Sequence, residues 1–150
     1  MDEIDFKIID VLKQNSKVTN SQISKKVSLS IPAIGERIRK MEQANIIEKY
    51  TIKVNREKIN YKVLAFVFIN IDKTENIENF RKNIIKYNSV LECHHVAGEY
   101  DYLLKVLVQD TKSLEYFLSD ILKKIKGVCK SNTIITLSSL KENINVWGVI

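Results

Sequence analysis

With 150 residues the chain can bury one sizeable core or two small ones, since folding at this length hides about 68–70% of the unfolded surface. Charged residues at 28% and hydrophobic residues at 45% exclude a disordered chain, and the lack of any run of about 18 apolar residues excludes a membrane-spanning helix. The net charge of +6 favours a polyanionic partner, and the acidic Met1-Asp2-Glu3 start, unlike a basic-then-apolar secretory signal, points to the cytoplasm.

Ile4, Ile8, Val11 and Leu12 share one face of a helix over residues 3–14, with Asp2, Glu3 and Asp5 at the end where the helix dipole favours negative charge. Thr19-Asn20-Ser21-Gln22 has the form of a capping box and predicts a second helix running to about Val27. Ser28-Leu29-Ser30 is long enough only for a turn. Ser30 then caps a third helix with Pro32 in its first turn, where a missing amide costs little. Ile31, Ile34, Ile38 and Met41 recur at helical spacing as the buried stripe of that helix.

Two short helices joined by a three-residue turn describe a helix-turn-helix, whose second helix is offered to the major groove of double-stranded DNA. On the other face of that helix Ala33, Arg37 and Lys40 line up, with Arg39 at the margin. A small residue lets a helix approach base edges, and cations behind it hold phosphates. Plain solvation also produces basic helical faces, so the distribution of charge matters. Lys13, Lys17, Lys25, Lys26, Arg37, Arg39 and Lys40 against Glu36 alone give residues 13–40 the same +6 as the whole chain. The excess is local, as an electrostatic footprint on a polyanion would be.

Asn45 stands where a helix ends in a left-handed residue. Glu48 to Val54 alternates as a strand would, which makes residues 1–54 a winged helix-turn-helix domain. Residues 55–62 are polar and form a linker. A second domain over 63–150 follows, with strands at Leu64 to Ile71, Val90 to Val96, Tyr100 to Val108 and Val128 to Leu137. Helices fall between them: Ile77, Phe80, Ile84 and Tyr87 mark one, and Thr111 to Lys126 is another, stopped by Gly127 as its C-terminal cap. The order is the ferredoxin-like βαββαβ arrangement, so the chain as a whole is α+β.

That arrangement puts both helices on one face of the sheet. The first strand is apolar on both faces, and Leu103 and Leu107 alternate with Tyr102, Leu104, Val106 and Val108. The uncovered face therefore needs a partner, and two sheets packed face to face in a homodimer would supply both the cover and the two-fold symmetry that palindromic half-sites require.

Cys93 and Cys129 can join only if their strands are neighbours; in a cytoplasmic setting free, half-buried thiols are expected. Adjacent strand residues point to opposite faces, so only Cys93 and His95 of Cys93-His94-His95 could share an ion. Two ligands are too few for structural zinc, and packing or dimer-contact histidines are expected with no metal. Four glycines form no phosphate-cradling loop and no nucleophile comes with an identifiable base, so neither catalytic residues nor cofactors are expected. An RNA-binding ferredoxin-like domain is poorly supported, because Tyr100 to Val108 lacks the Gly-rich aromatic RNP1 pattern.

Asp5-Phe6-Lys7-Ile8-Ile9-Asp10-Val11-Leu12, Ser30-Ile31-Pro32-Ala33-Ile34 with Arg37 and Met41, Ala44-Asn45-Ile46-Ile47 and, above all, Val96-Ala97-Gly98-Glu99-Tyr100-Asp101-Tyr102-Leu103-Leu104 together resemble the Lrp/AsnC family of feast/famine regulators over nearly the whole chain. The resemblance implies transcriptional control, often in response to an amino acid, and dimers that assemble into octamers. It places an effector between dimers near the loop from Gly98 through Glu99 and Tyr100 to Asp101. There Asp101 would pair with an effector ammonium while turn amides receive its carboxylate, or would merely brace the turn. At the DNA end, Ser30, Ile31, Pro32 and Ala33 are expected near the groove floor and Arg37, Arg39, Lys40 and Lys25 chiefly on phosphates. The family usually has Gly where Asn45 stands and near Asn60, and Asn tolerates the same left-handed conformation. Gly35, inside the recognition helix, either permits close approach to DNA or is drift. Residues 142–150, with Trp147, extend past the usual end and could fold back on the sheet or join neighbouring dimers. Sirohaem decarboxylases resemble the same architecture and remain the enzyme alternative.

Overall fold

The computed structural model describes residues 1–145, which cluster into two compact units. One is Met1–Val54 together with residues 141–145; the other is Asn55–Leu140. Residues 141–145, expected with the second domain, thus group with the first unit, where Lys53 Nζ donates to the Glu142 carbonyl oxygen. Trp147 and its proposed packing lie outside the described residues.

In the first unit α1 (Glu3–Gln14), α2 (Asn20–Val27) and α3 (Ile31–Gln43) each begin where a side chain satisfies a free amide. Asp2 and Asp5 form a capping box on α1, Thr19 and Gln22 form one on α2, and Ser30 Oγ accepts from the Ala33 amide on α3. The turn between α2 and α3 closes on Ser28, which is left-handed at φ +56°. Ile8, Ile23, Ile34 and Met41 meet as the buried core of the three helices. Asn45 is left-handed at φ +54°, in the position the sequence assigned to it.

Glu48 to Val54 departs from the expected strand. It pairs with no strand among the described residues, and Tyr50, Ile52 and Val54 stand 48%, 72% and 50% exposed. An alternating pattern supplies a strand's faces but not its ladder, which needs a neighbour.

The second unit opens with a turn over 56–60 that Asn60 closes at φ +62°, the Tyr61 amide donating to the Arg56 carbonyl at 2.8 Å. β1 (Val63–Ile71), α4 (Ile77–Ile84), β2 (Val90–His95), β3 (Tyr102–Val108), α5 (Thr111–Tyr116) and β4 (Val128–Ile135) follow. The antiparallel sheet has the order β2-β3-β1-β4, which is the ferredoxin-like arrangement. Its register sets Val67 opposite both Leu104 and Thr133. Ala65, Val67, Ile69, Leu104 and Val106 project onto Phe80, Ile84, Leu114, Phe117 and Leu122 to form the core. On the opposite face Phe66, Phe68, Leu103 and Leu107 are half-buried and Ile134 is 51% exposed.

The helix expected over 111–126 is not uniform. After Tyr116 it widens to a π-helical turn at Phe117–Ile121, tightens to a 3-10 turn at Leu122–Lys124, and ends with Ile125 extended. Gly127 is therefore not its cap. It turns the chain into β4 at φ +99°, where a Cβ would sit 2.4 Å from the Cβ of Asn76.

Candidate nucleic-acid interface and effector turn

Helical geometry and burial together decide which side of α3 faces outward. Ile34 and Met41 are buried and Arg37 and Ile38 half-buried, whereas Pro32, Glu36, Arg39, Lys40 and Gln43 are exposed. Residues 32, 36, 39 and 43 follow the spacing of one helical face, with Lys40 at its flank. The stripe Ala33, Arg37, Lys40 expected to meet DNA is rotated by about a quarter turn from that face. Only Lys40 of the three is exposed; Ala33 is half-buried.

Arg37 has partners that the sequence reading did not foresee. Its Nη1 lies 2.8 Å from Asp2 Oδ2 and 2.7 Å from Asp5 Oδ1, both at the start of α1. Bonds from the Asp5 amide and from Arg37 hold the Asp2 carboxyl below its ordinary range, and the same carboxylates raise the Arg37 guanidinium. Arg37 thus ties α3 to α1 in the single chain. The sequence recorded Asp2 and Asp5 as dipole partners, and only the packing of α1 on α3 reveals their second use.

Arg39 is held locally. Its Nε and Nη2 bond Glu36 Oε2 and Oε1 at 2.9 and 2.7 Å, with Lys40 Nζ 3.8 Å from Oε1. The Arg39 bond first, then the two positive charges, lowers the Glu36 pKa, so the carboxylate is an ionised acceptor. Ser30 caps the helix, Ile31 and Pro32 are exposed in its first turn, and Lys25 is exposed on α2. Gly35 faces α2, a Cβ there meeting Asn20 Nδ2 at 3.3 Å, so the close approach it permits is between helices.

At the other candidate site Gly98, Glu99, Tyr100 and Asp101 form the turn into β3, with Gly98 at φ +152°. Asp101 Oδ2 accepts from the Ile71 amide at 2.8 Å and its own amide donates to the Ile69 carbonyl at 2.9 Å, so it braces the end of β1. Its Oδ1 has no hydrogen-bond partner among the described residues. Glu99 pairs with Lys130 at 2.8 Å, which lowers its pKa, and Lys130 also lies over the Tyr100 ring. Asn70 Nδ2 donates to the Glu99 carbonyl at 2.8 Å while Asn70 Oδ1 is buried without a partner. Sequence reading missed Asn70, since nothing in a strand pattern marks an orphaned acceptor. The turn lines neither the cavity of about 790 Å³ in the first unit nor that of about 240 Å³ in the second.

Cys93 and Cys129 lie on β2 and β4, the two edges of the sheet, more than about 14 Å apart by strand spacing alone and beyond disulfide reach. Cys129 is exposed rather than half-buried. His95 stacks on Tyr102 at 5.0 Å and His94 bonds Glu92 at 3.1 Å. Among the described residues no three His, Cys, Asp or Glu side chains cluster for a metal.

Residues 1–48 match the family pattern described as winged helix-turn-helix DNA-binding, and residues 64–146 match the Lrp/AsnC ligand binding domain. The chain belongs to the Lrp/AsnC family of transcriptional regulators. It is 34% identical over 142 residues to the HTH-type transcriptional regulator FL11 of Pyrococcus abyssi, covering 95% of this chain and 93% of that one. It is 30% identical to the leucine-responsive regulatory protein of Escherichia coli, covering 95% and 88%. A transcriptional regulator of Neisseria meningitidis solved as a complex with L-Met superposes at a TM-score of 0.93 and 29% identity, covering 97% of this chain and 96% of that one. As an Lrp/AsnC regulator the chain binds DNA through its helix-turn-helix and carries a ligand-binding domain of the family form.

Proposed function

We propose that this regulator works in the cytoplasm as a homodimer, assembling further to octamers, that places two copies of α3 in successive major grooves and responds to an amino acid. The observation that carries the DNA part is the outward face of α3. It begins at a capped helix end with Ile31 and Pro32 exposed and carries Arg39 and Lys40 behind them, with Lys25 beside it on α2. Ser30 and Ala33 approach the groove edge, and Lys40 and Lys25 anchor phosphates.

The dimer buries the open sheet face through Phe66, Phe68, Leu103, Leu107 and Ile134, all half-buried or exposed in the single chain. The effector occupies the turn Gly98 to Asp101, which is surface in one chain and gains walls from a second copy. Asp101 Oδ1 meets the ammonium, the turn amides meet the carboxylate, and the orphaned Asn70 Oδ1 offers a further acceptor. The L-Met held by the Neisseria relative supports an amino acid as the ligand class.

Selection of bound DNA from a random pool, with and without a mixture of amino acids, tests the whole reading: a palindromic motif altered by effector is the expected result. A dimer that neutralises about six phosphates gives a slope of log affinity against log salt near −5, and a flat dependence sinks the interface. A monomeric mass by light scattering at micromolar concentration removes the dimer. For the effector, Asp101→Asn keeps an acceptor for the Ile71 amide yet removes the charge; calorimetric heats equal to wild type exclude Asp101. A Soret band after incubation with haem or sirohaem would revive the enzyme alternative.

A further inference from the structure

The outward face of α3 holds one anion, Glu36, at its centre, between Pro32 in the first turn and Arg39 in the next. A carboxylate aimed at a polyanion is repelled unless it is neutralised and has a donor to meet. Both conditions are answerable from the geometry. The Arg39 fork closes on Glu36 through two bonds, at 2.9 and 2.7 Å, and Lys40 stands at 3.8 Å, so the group presented to the groove is a neutralised pair rather than a bare charge.

That pair still has bonding capacity on its exposed side. Each Glu36 oxygen keeps a second acceptor direction. Arg39, with Nε and one Nη2 hydrogen engaged, retains the Nη1 hydrogens and the other Nη2 hydrogen. Side by side, an acceptor and a fork of donors are the complement of one edge in the major groove: a C·G pair shows the cytosine N4 amino donor next to the guanine O6 and N7 acceptors. A·T pairs set an adenine amino donor beside a thymine O4 and a methyl group, which leaves the arginine fork without its two acceptors.

We propose that Glu36 and Arg39 together read a single C·G base pair in each half-site, Glu36 accepting from the cytosine N4 amino group and Arg39 donating to guanine O6 and N7. This rests on α3 being the DNA-reading helix. Glu36 and Arg39 are the specificity-determining pair, because Lys25 and Lys40 beside them hold phosphates and attract every sequence equally. As an exposed i, i+3 pair it adds little to stability, so its removal is read at the DNA and not through unfolding.

The test is selection from a random double-stranded pool with full-length wild type, Glu36→Ala and Glu36→Gln, followed by binding to the selected site and to one in which the C·G pair is replaced by T·A. Circular dichroism confirms that the variants fold. Wild type is expected to prefer the C·G site by about 10-fold to 100-fold. Glu36→Ala should narrow that preference without abolishing it, because Arg39 still reads guanine, while keeping the rest of the motif, and Glu36→Gln should shift it toward A·T, since Gln pairs with adenine N6 and N7. An identical motif for wild type and Glu36→Ala, with the variant binding every sequence more tightly, would make Glu36 a repulsive bystander and overturn the proposal alone. Failure of wild type to enrich any sequence would overturn the DNA-binding reading with it.

Discussion

The two flanks of α3 carry arginines two residues apart that are used in opposite ways. On the inner flank Arg37 reaches 35 and 32 positions back in the sequence to Asp2 and Asp5, and with them fastens α3 to α1. On the outer face Arg39 takes a carboxylate only three positions away and stays 52% exposed with it. Position on a helix, not residue type, separates a cation that holds the fold from one that can meet a ligand. The sheet repeats the contrast: Val67 and Leu104 are fully buried beneath the helices while Phe66 and Phe68, their neighbours on the open face, remain half-buried.

The strongest break of the inner side is Ile34→Ala. Ile34 is fully buried in the three-helix core, and its truncation should cost about 2–5 kcal/mol in denaturant unfolding and take DNA binding with it. On the outer face Lys40→Ala should leave the unfolding midpoint in place and remove about two phosphate contacts per dimer. The salt slope would then relax by about 1.8, from about −5.4 to about −3.6, in binding titrations.

Arg37→Ala should do the reverse, lowering the thermal midpoint while leaving the salt slope unchanged. That loss depends on pH. Asp2 titrates below its ordinary 3.8 in the folded chain, so its contribution is present above that value and disappears as pH falls through the lower folded value. Melting curves of wild type and Arg37→Ala should therefore converge in acid; a constant gap across the titration would contradict the tie to α1. The smallest effect belongs to Gly35→Ala. The atom in its way is the end of the exposed Asn20 side chain, which can yield a few tenths of an ångström, so the helix should gain up to about 1 kcal/mol in chemical denaturation.

Much of this architecture was legible without coordinates. The capping residues Thr19 and Ser30 and the left-handed Asn45 are local features, fixed by residues within a turn of one another; of the expected stripe Ile31, Ile34, Ile38 and Met41, Ile34 and Met41 are buried and Ile38 half-buried, while Ile31 in the first turn is 49% exposed. The order of strands and helices, and with it the ferredoxin-like sheet, follows from alternation and periodicity in the same way. Glu48 to Val54 failed because alternation is local but a ladder is not, and the uniform helix over 111–126 failed because no pattern in Phe117 to Ile121 announces a widened turn.

The sequence by itself determined which segments form helices and strands, where they are capped, and which family the chain joins, because those depend on neighbours along the chain. Only the tertiary structure decided that Arg37 faces α1 while Glu36 and Arg39 face outward, that Gly127 makes room for Asn76, and that Asn70 keeps an unmet acceptor beside Glu99. Each of these is settled by a contact with a residue far away in sequence, or by a burial that such contacts produce, and no spacing rule along one helix or strand carries that information.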